Sequence, residues 1–277
     1  MRWVHLTSTL YSPYESLCHP GHVRWLWRHI HGSFRVLASA IMPSHPHVIV
    51  ADEPSLTRRF GALLGAFGRF RLECRCHWAP VKPVSYTTRS HVRRGYRYVV
   101  LNPCRAGLAA DPLAYPWTSH RDTTGAIAEP SVDSNDVAEA LGERLDDDFA
   151  ARLHAFVSAD PSVSVEGTPP PRLADPTDVA KVPLGEIARA AASATRGRPA
   201  DVAISGATRR LFVHLAWTNG WRDAALLARV AATTPQTISR LARSGVDHHW
   251  DEAGRRCLAD PRLRTTDVTI ARGAHQR

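Results

Sequence analysis

The chain has 277 residues, 44% of them hydrophobic and 22% charged, with a formal net charge of +9. That is enough apolar material for two cored domains. No apolar run approaches the roughly 20 residues that cross a bilayer, and Met1-Arg2-Trp3-Val4-His5 has no signal-peptide core, so a soluble, cytoplasmic protein without a membrane partner is expected. Five scattered cysteines, an odd number, argue against a disulfide framework and fit reduced thiols.

Charge is distributed in blocks. Residues 1–120 carry +10, residues 121–180 carry −9 and residues 181–277 carry +8. Nearly all the cations are arginine; only Lys82 and Lys181 are lysine. Two basic modules around an acidic one suggest two polyanion-binding surfaces. The acidic block is also expected to fold back on a basic module and compete with nucleic acid there.

In chain order, Val4–Thr9 alternates like an edge strand, and His22–His31 reads as a helix with Val23, Leu26, Trp27 and Ile30 on one stripe. Phe34–Met42 and His47–Ala51 read as strands joined at Pro43-Ser44. Ser55 is placed as the N-cap of a helix through Phe67. Arg69–His77 reads as a further strand, and Arg89–Leu101 as a helix closed by Asn102-Pro103. This order predicts an α+β fold, a small antiparallel sheet with helices on one face. Asp136–Val157 is helical in pattern and acidic outside, and Ser158–Pro183, around Pro169-Pro170-Pro171, reads as an extended linker. From Leu184 the pattern is helical again. The expected domains are 1–122, an acidic helical segment with linker at 123–183, and an all-α domain at 184–277.

His45-Pro46-His47 carries the chemistry. Residues two apart in a strand share a face, so both imidazoles can converge on one metal ion. His29-Ile30-His31 has the same spacing but falls in a helix, where such residues diverge by about 200°; surface or partial core is expected for it. Cys74-Arg75-Cys76-His77 lacks the second ligand pair of a zinc finger. Tyr98 precedes Asn102 by four positions and shares its helical face, whereas the rival Tyr96 faces elsewhere. Two histidines, a carboxamide and a phenol are the parts needed for metal-assisted attack on a phosphodiester. Trp78 and Trp117 are candidates for base stacking, with core packing the plainer role.

Ala40-Ile41-Met42-Pro43-Ser44-His45-Pro46-His47 resembles the "MPNHxH" strand of single-tyrosine HUH transposases, the insertion-sequence-200-like and REP-associated enzymes. Tyr98-Val99-Val100-Leu101-Asn102-Pro103-Cys104-Arg105-Ala106-Gly107-Leu108 is similar to their "YIHLNPVRAGLV", and Tyr115-Pro116-Trp117-Thr118-Ser119-His120-Arg121 to their "YPWSSYR". Ser44 stands where asparagine is common and Pro46 where an aliphatic is typical. Over residues 1–122 the resemblance implies a ferredoxin-like HUH nuclease domain with His45, His47 and Asn102 as metal ligands and Tyr98 as nucleophile. It further implies a 5′-phosphotyrosine intermediate and nicking and rejoining of single-stranded DNA at hairpin-forming repeats in DNA transposition. Imidazole and carboxamide donors with open positions suit Mg²⁺ or Mn²⁺. Arg93, Arg94, Arg97 and Arg105 could hold DNA phosphates. A bacterial, nucleoid-associated protein follows, with a homodimer as one possible assembly.

In the C-terminal module Arg209–Thr218, Asp223–Ala232 and Pro235–Arg243 read as helices. Thr234 is the expected N-cap and Pro235 the first helical residue of the last. Burying Ile238 and Leu241 exposes Gln236, Thr237, Ser239 and Arg240, residue types that read base edges. The arrangement is a helix-turn-helix similar to the C-terminal domain of the replication initiator DnaA, and would hold duplex DNA. The alternative function is a catalytically silent DNA-binding transcriptional regulator derived from a transposase.

Overall fold

A computed structural model of the protein describes residues 1–11, 17, 19–70, 77–165, 182–204 and 206–264. Two compact units emerge: residues 1–123 with 131–167, and residues 124–130 with 168–277. The sequence reading sets residues 123–183 between two domains; here the acidic helices cluster with the first unit.

The first unit is built on four antiparallel strands: β1 (Trp3–Thr7), β3 (Val36–Ile41), β4 (Pro46–Ala51) and β6 (Lys82–Tyr86), in the order β3-β4-β1-β6. A minor sheet pairs β2 (Leu10–Tyr11) with β5 (His77–Trp78). The internal strands are β4 and β1, so the strand read as an edge at Val4–Thr9 lies inside the sheet. Strands β3 and β4 are buried at every position, which requires cover on both faces. The register shows where the cover comes from. Ser39 faces Val48 and Ala40 faces His47 across the β3–β4 pair. On the Ser39 face lies α1 (Pro20–Ser33), whose His31 Nε2 meets Ser39 Oγ at 3.0 Å. On the His47 face lies α3 (Arg89–Arg105), whose Tyr98 meets the His47 ring. The expectation of helices on one face is therefore corrected: hydrophobic residues at both alternating positions of β3 and β4 demand a layer on each side.

Local sequence explains the helix boundaries. Pro20 opens α1 behind His19, whose Nδ1 accepts from the Gly21 N–H, and Val23, Leu26, Trp27 and Ile30 form the buried stripe. Thr88 caps α3 by accepting from the His91 N–H at 3.2 Å. Pro103 does not end α3: the helix runs to Arg105 through it, closing where the Ala106 N–H donates to the Asn102 carbonyl. A proline near a C-terminus loses one backbone bond, which a short final turn tolerates. Ser55 precedes α2 (Leu56–Phe70) in the left-handed region, φ 59°, and its hydroxyl accepts from Arg58.

Other expectations change. Of the strand expected at Arg69–His77, Arg69 and Phe70 belong to α2, His77 opens β5, and residues 71–76, with Cys74 and Cys76, lie outside the described residues. Of the linker expected at Ser158–Pro183, residues 166–181 with Pro169-Pro170-Pro171 likewise lie outside them, whereas Ser158 ends a helix and Val163 and Val165 pack against the core of the first unit. The edge strand β6 was not expected, since Pro83 and its exposed residues hide its alternation. The single helix expected over Asp136–Val157 is two, α5 (Ser134–Leu141) and α6 (Phe149–Ser158). Gly142 separates them at φ 70°, a conformation that favours glycine. In sequence the short helix α4 (His120–Thr123) stands between α3 and α5. Val137, Leu141, Phe149, Leu153 and Val157 join the core of the sheet.

The second unit holds α7 (Leu184–Ala194), α8 (Ala207–Thr218), α9 (Ala224–Val230), α10 (Pro235–Ser244) and α11 (His248–Ala259). Small residues let these helices approach closely: α7 buries Ala190, Ala191, Ala192 and Ala194, and a Cβ on Gly254 of α11 would lie 2.9 Å from the Leu215 side chain of α8. Residues 124–130 are part of this unit, the Ala128 N–H donating to the Ala194 carbonyl at 2.9 Å.

Candidate active site

The β3–β4 turn places His45 and His47. The Met42 N–H donates to the His45 carbonyl, and strand pairing begins with Pro46 opposite Ile41. Pro46 is the first residue of β4 and lies beyond the last β1 pairing, Thr7 with His47, so its missing N–H costs no ladder bond there. His45 thus sits in the turn and His47 in the strand, yet their ring centroids are 4.7 Å apart. Each ring has its Nδ1 engaged. Ser44 Oγ lies 2.9 Å from Nδ1 of His45, and His5 Nε2 lies 3.0 Å from Nδ1 of His47. Neither Nε2 has a hydrogen-bond partner among the described residues.

Burial keeps these rings neutral. It pulls His5 down to about 4 and His47 down to about 3, the latter aided by its two histidine neighbours, and lowers His45 as well. A neutral imidazole is the form that ligates metal.

Tyr98 reaches this cluster from α3. Its ring is edge-on to His47 at 5.7 Å and to His5 at 6.1 Å, and it remains 43% exposed. Tyr96 is wholly buried, with its hydroxyl 3.1 Å from Thr123 Oγ1 and burial pushing its phenol well up. Asn102, one turn beyond Tyr98, is 8% exposed, and its carboxamide Nδ2 is buried without a hydrogen-bond partner. The open Nε2 atoms of His45 and His47 are donors of the kind that suit a borderline divalent ion with open positions, and the oxygen of a carboxamide such as Asn102 is a donor type that harder divalent ions accept.

His5 and Tyr86 are the residues that sequence reasoning missed here. His5 pairs with Ile49 and Val84, so it shares a sheet face with His47 and Tyr86. Tyr86 stacks on His5 at 6.3 Å; burial and the neighbouring Tyr98 push it up to about 12. Alternation along Val4–Thr9 placed His5 on a face, but its neighbours depend on register.

Gly95 makes room for Tyr86: a Cβ there would lie 2.4 Å from the ring. Gly95→Ala should therefore destabilise the first unit by ~1–3 kcal/mol, read as a lowered Tm. Adding Tyr86→Ala should recover most of the loss; equal losses in the single and double variants would refute the steric account.

The expected phosphate-binding arginines have partners within the unit. Arg93 pairs with Glu143 at 2.6 Å and also donates to the Leu141 carbonyl. Asp160 takes Arg105 at 2.8 Å and Arg97 at 3.3 Å. Arg105 lies 5.0 Å over the Tyr98 ring, while Arg93 and Arg97 flank Phe156. Arg94 is exposed, without such a pair among the described residues. Trp78 packs on Phe67 and Trp117 on Trp27. His29 stacks on Trp25 and His31 on Trp27.

In the second unit Thr234 accepts from the Thr237 N–H at 3.2 Å, and Pro235 opens α10. Ile238 is buried and Leu241 partly so; Gln236 and Arg240 are exposed, while Thr237 and Ser239 are half-buried. Among the described residues, one group of three histidine, cysteine or carboxylate ligands lies mutually within 4.8 Å: His248, His249 and Glu252 on α11, away from the expected ligand residues in sequence. No described helix is long and apolar enough to cross a membrane. In comparisons with known proteins, no family model, no curated protein and no solved structure matches the chain.

Proposed function

We propose that the chain is a single-tyrosine HUH enzyme that nicks and rejoins single-stranded DNA, in the manner of transposases, through a 5′-phosphotyrosine intermediate. One observation carries the reading: the accessible Tyr98 ring touches His47, whose neighbour His45 presents a second imidazole with Nε2 open. The ferredoxin-like nuclease assignment of the first unit rests on the same resemblance, supported by its four antiparallel strands with the histidines at the start of β4.

His45, His47 and Asn102 would hold Mg²⁺ or Mn²⁺, which polarises the scissile phosphate and offsets charge developing on it. The Tyr98 hydroxyl attacks phosphorus and the bond to the 3′ oxygen breaks. The phenol proton passes to solvent, to which Tyr98 is open, and the departing 3′ oxygen takes up a proton. Rejoining reverses these steps with another 3′-OH and needs no ATP. In the second unit, Gln236, Thr237, Ser239 and Arg240 on α10 would lie against duplex DNA.

The test is a covalent adduct. Incubation with hairpin-bearing single-stranded oligonucleotides and Mn²⁺ should give a denaturant-stable protein–DNA species carrying the 5′-phosphate side, and chelation should prevent it. Duplex binding with no adduct across the oligonucleotide panel would overturn nicking in favour of a DNA-binding regulator. The ion pairs on Arg93, Arg97 and Arg105 are the observation that favours that second reading.

A further inference from the structure

Resting on that reading of His45 and His47, we infer that His5 is a positioning residue: by occupying Nδ1 of His47 it presents Nε2 of that ring to the divalent ion. The argument begins with atom identity. The His5–His47 contact is Nε2 to Nδ1 at 3.0 Å between two buried rings. One of the two nitrogens must carry a proton, and the other must accept it. If His47 ligates through Nε2, its proton sits on Nδ1, and His5 Nε2 is the acceptor. His5 is then the neutral tautomer protonated on Nδ1.

The same construction recurs next door, where Ser44 Oγ engages Nδ1 of His45 and leaves Nε2 open. Two imidazoles, one in a turn and one in a strand, therefore have the same nitrogen occupied and the same nitrogen open. A hydrogen bond to the distal nitrogen fixes both tautomer and ring orientation of a ligating histidine.

His5 is well held for this work. It lies in β1, the strand hydrogen-bonded to β4, with its position set by the Thr7–His47 and His5–Ile49 pairs. Tyr86 stacks on it at 6.3 Å and His47 at 5.2 Å. A polar ring sandwiched between strand neighbours and 7% exposed has little freedom to leave its partner.

The experiment is Mn²⁺ binding to the full chain without DNA, followed by the electron paramagnetic resonance signal of the free ion. His45→Ala supplies the background from His248, His249 and Glu252, the other group of possible ligands. His5→Leu should weaken the His45-dependent binding by about 10–100-fold. His5→Gln, whose carbonyl can accept from His47 Nδ1, should stay within a few-fold of the parent, with adduct yield following the same order. Equal binding by the parent and both variants would overturn the positioning role and leave the nuclease reading standing. Absence of any His45-dependent Mn²⁺ binding in the parent would sink both together. Should His5→Leu fail to fold, ¹⁵N imidazole spectra of the parent decide: a proton on Nδ1 of His47 is expected, and a proton on Nε2 overturns the inference.

Discussion

Tyr98→Phe should leave a folded, DNA-binding chain that forms no covalent adduct. The ring stays in place, and Tyr98 is 43% exposed, so the stability change should be within about 0.5 kcal/mol. What disappears is the hydroxyl of the proposed nucleophile, whose ring lies beside His47. Removing a nucleophile while keeping the rest of a site costs on the order of 10³-fold or more in rate. Adduct yield on a gel, with binding measured separately, reads this directly.

Tyr96→Phe is the matched contrast. Its hydroxyl is sealed from solvent against Thr123, so that variant should lose ~1–2 kcal/mol for the broken buried hydrogen bond and keep its adduct. An active Tyr98→Phe chain, or an inactive but folded Tyr96→Phe chain, would require a different nucleophile. Position along α3 separates the two phenols: residues two apart on a helix diverge by about 200°, and the structure puts one phenol in the core and the other at the histidines.

Short-range periodicity made part of this site legible. The two-residue spacing of His45 and His47 marked the pair, although the β3–β4 turn and not a shared strand brings their rings together, and the i, i+4 relation puts Tyr98 and Asn102 on one helical face. Thr234-Pro235 marks the start of α10 because capping chemistry is local. Where the sequence misled, the cause was long-range. His5 meets His47 only through the β1–β4 register, which pairs residues 40 to 48 positions apart. The cover on the second face of the sheet follows from burial on both sides of β3 and β4, which an apolar run alone does not distinguish from a one-sided strand. Gly142 was a visible break signal inside a helical pattern that continues on either side. The arginines near Tyr98 read as open cations because their carboxylate partners lie about 50 positions away.

Those carboxylates lead to the second large effect. The Asp160 carboxyl is held below its usual range by Ser162, with Arg105 and Arg97 contributing, so it is ionised at neutral pH. It pairs with Arg97 and with the Arg105 guanidinium that lies over Tyr98, positions that the proposed function would give to DNA phosphates, and Glu143 does the same for Arg93. Asp160→Asn combined with Glu143→Gln should therefore tighten binding of single-stranded DNA by about tenfold at low salt, with a steeper salt dependence as further cations become available to phosphates. Deleting the acidic helices is a poorer test, because Val137, Leu141, Phe149, Leu153 and Val157 would leave the core with them. Asp147→Asn provides the control: it removes a carboxylate from the exposed α5–α6 connection, without touching these arginines. If Asp147→Asn tightens binding as much as Asp160→Asn does, net charge accounts for the effect. A specific gain at Asp160 and Glu143 would mean that the acidic arm occupies the phosphate positions until DNA displaces it.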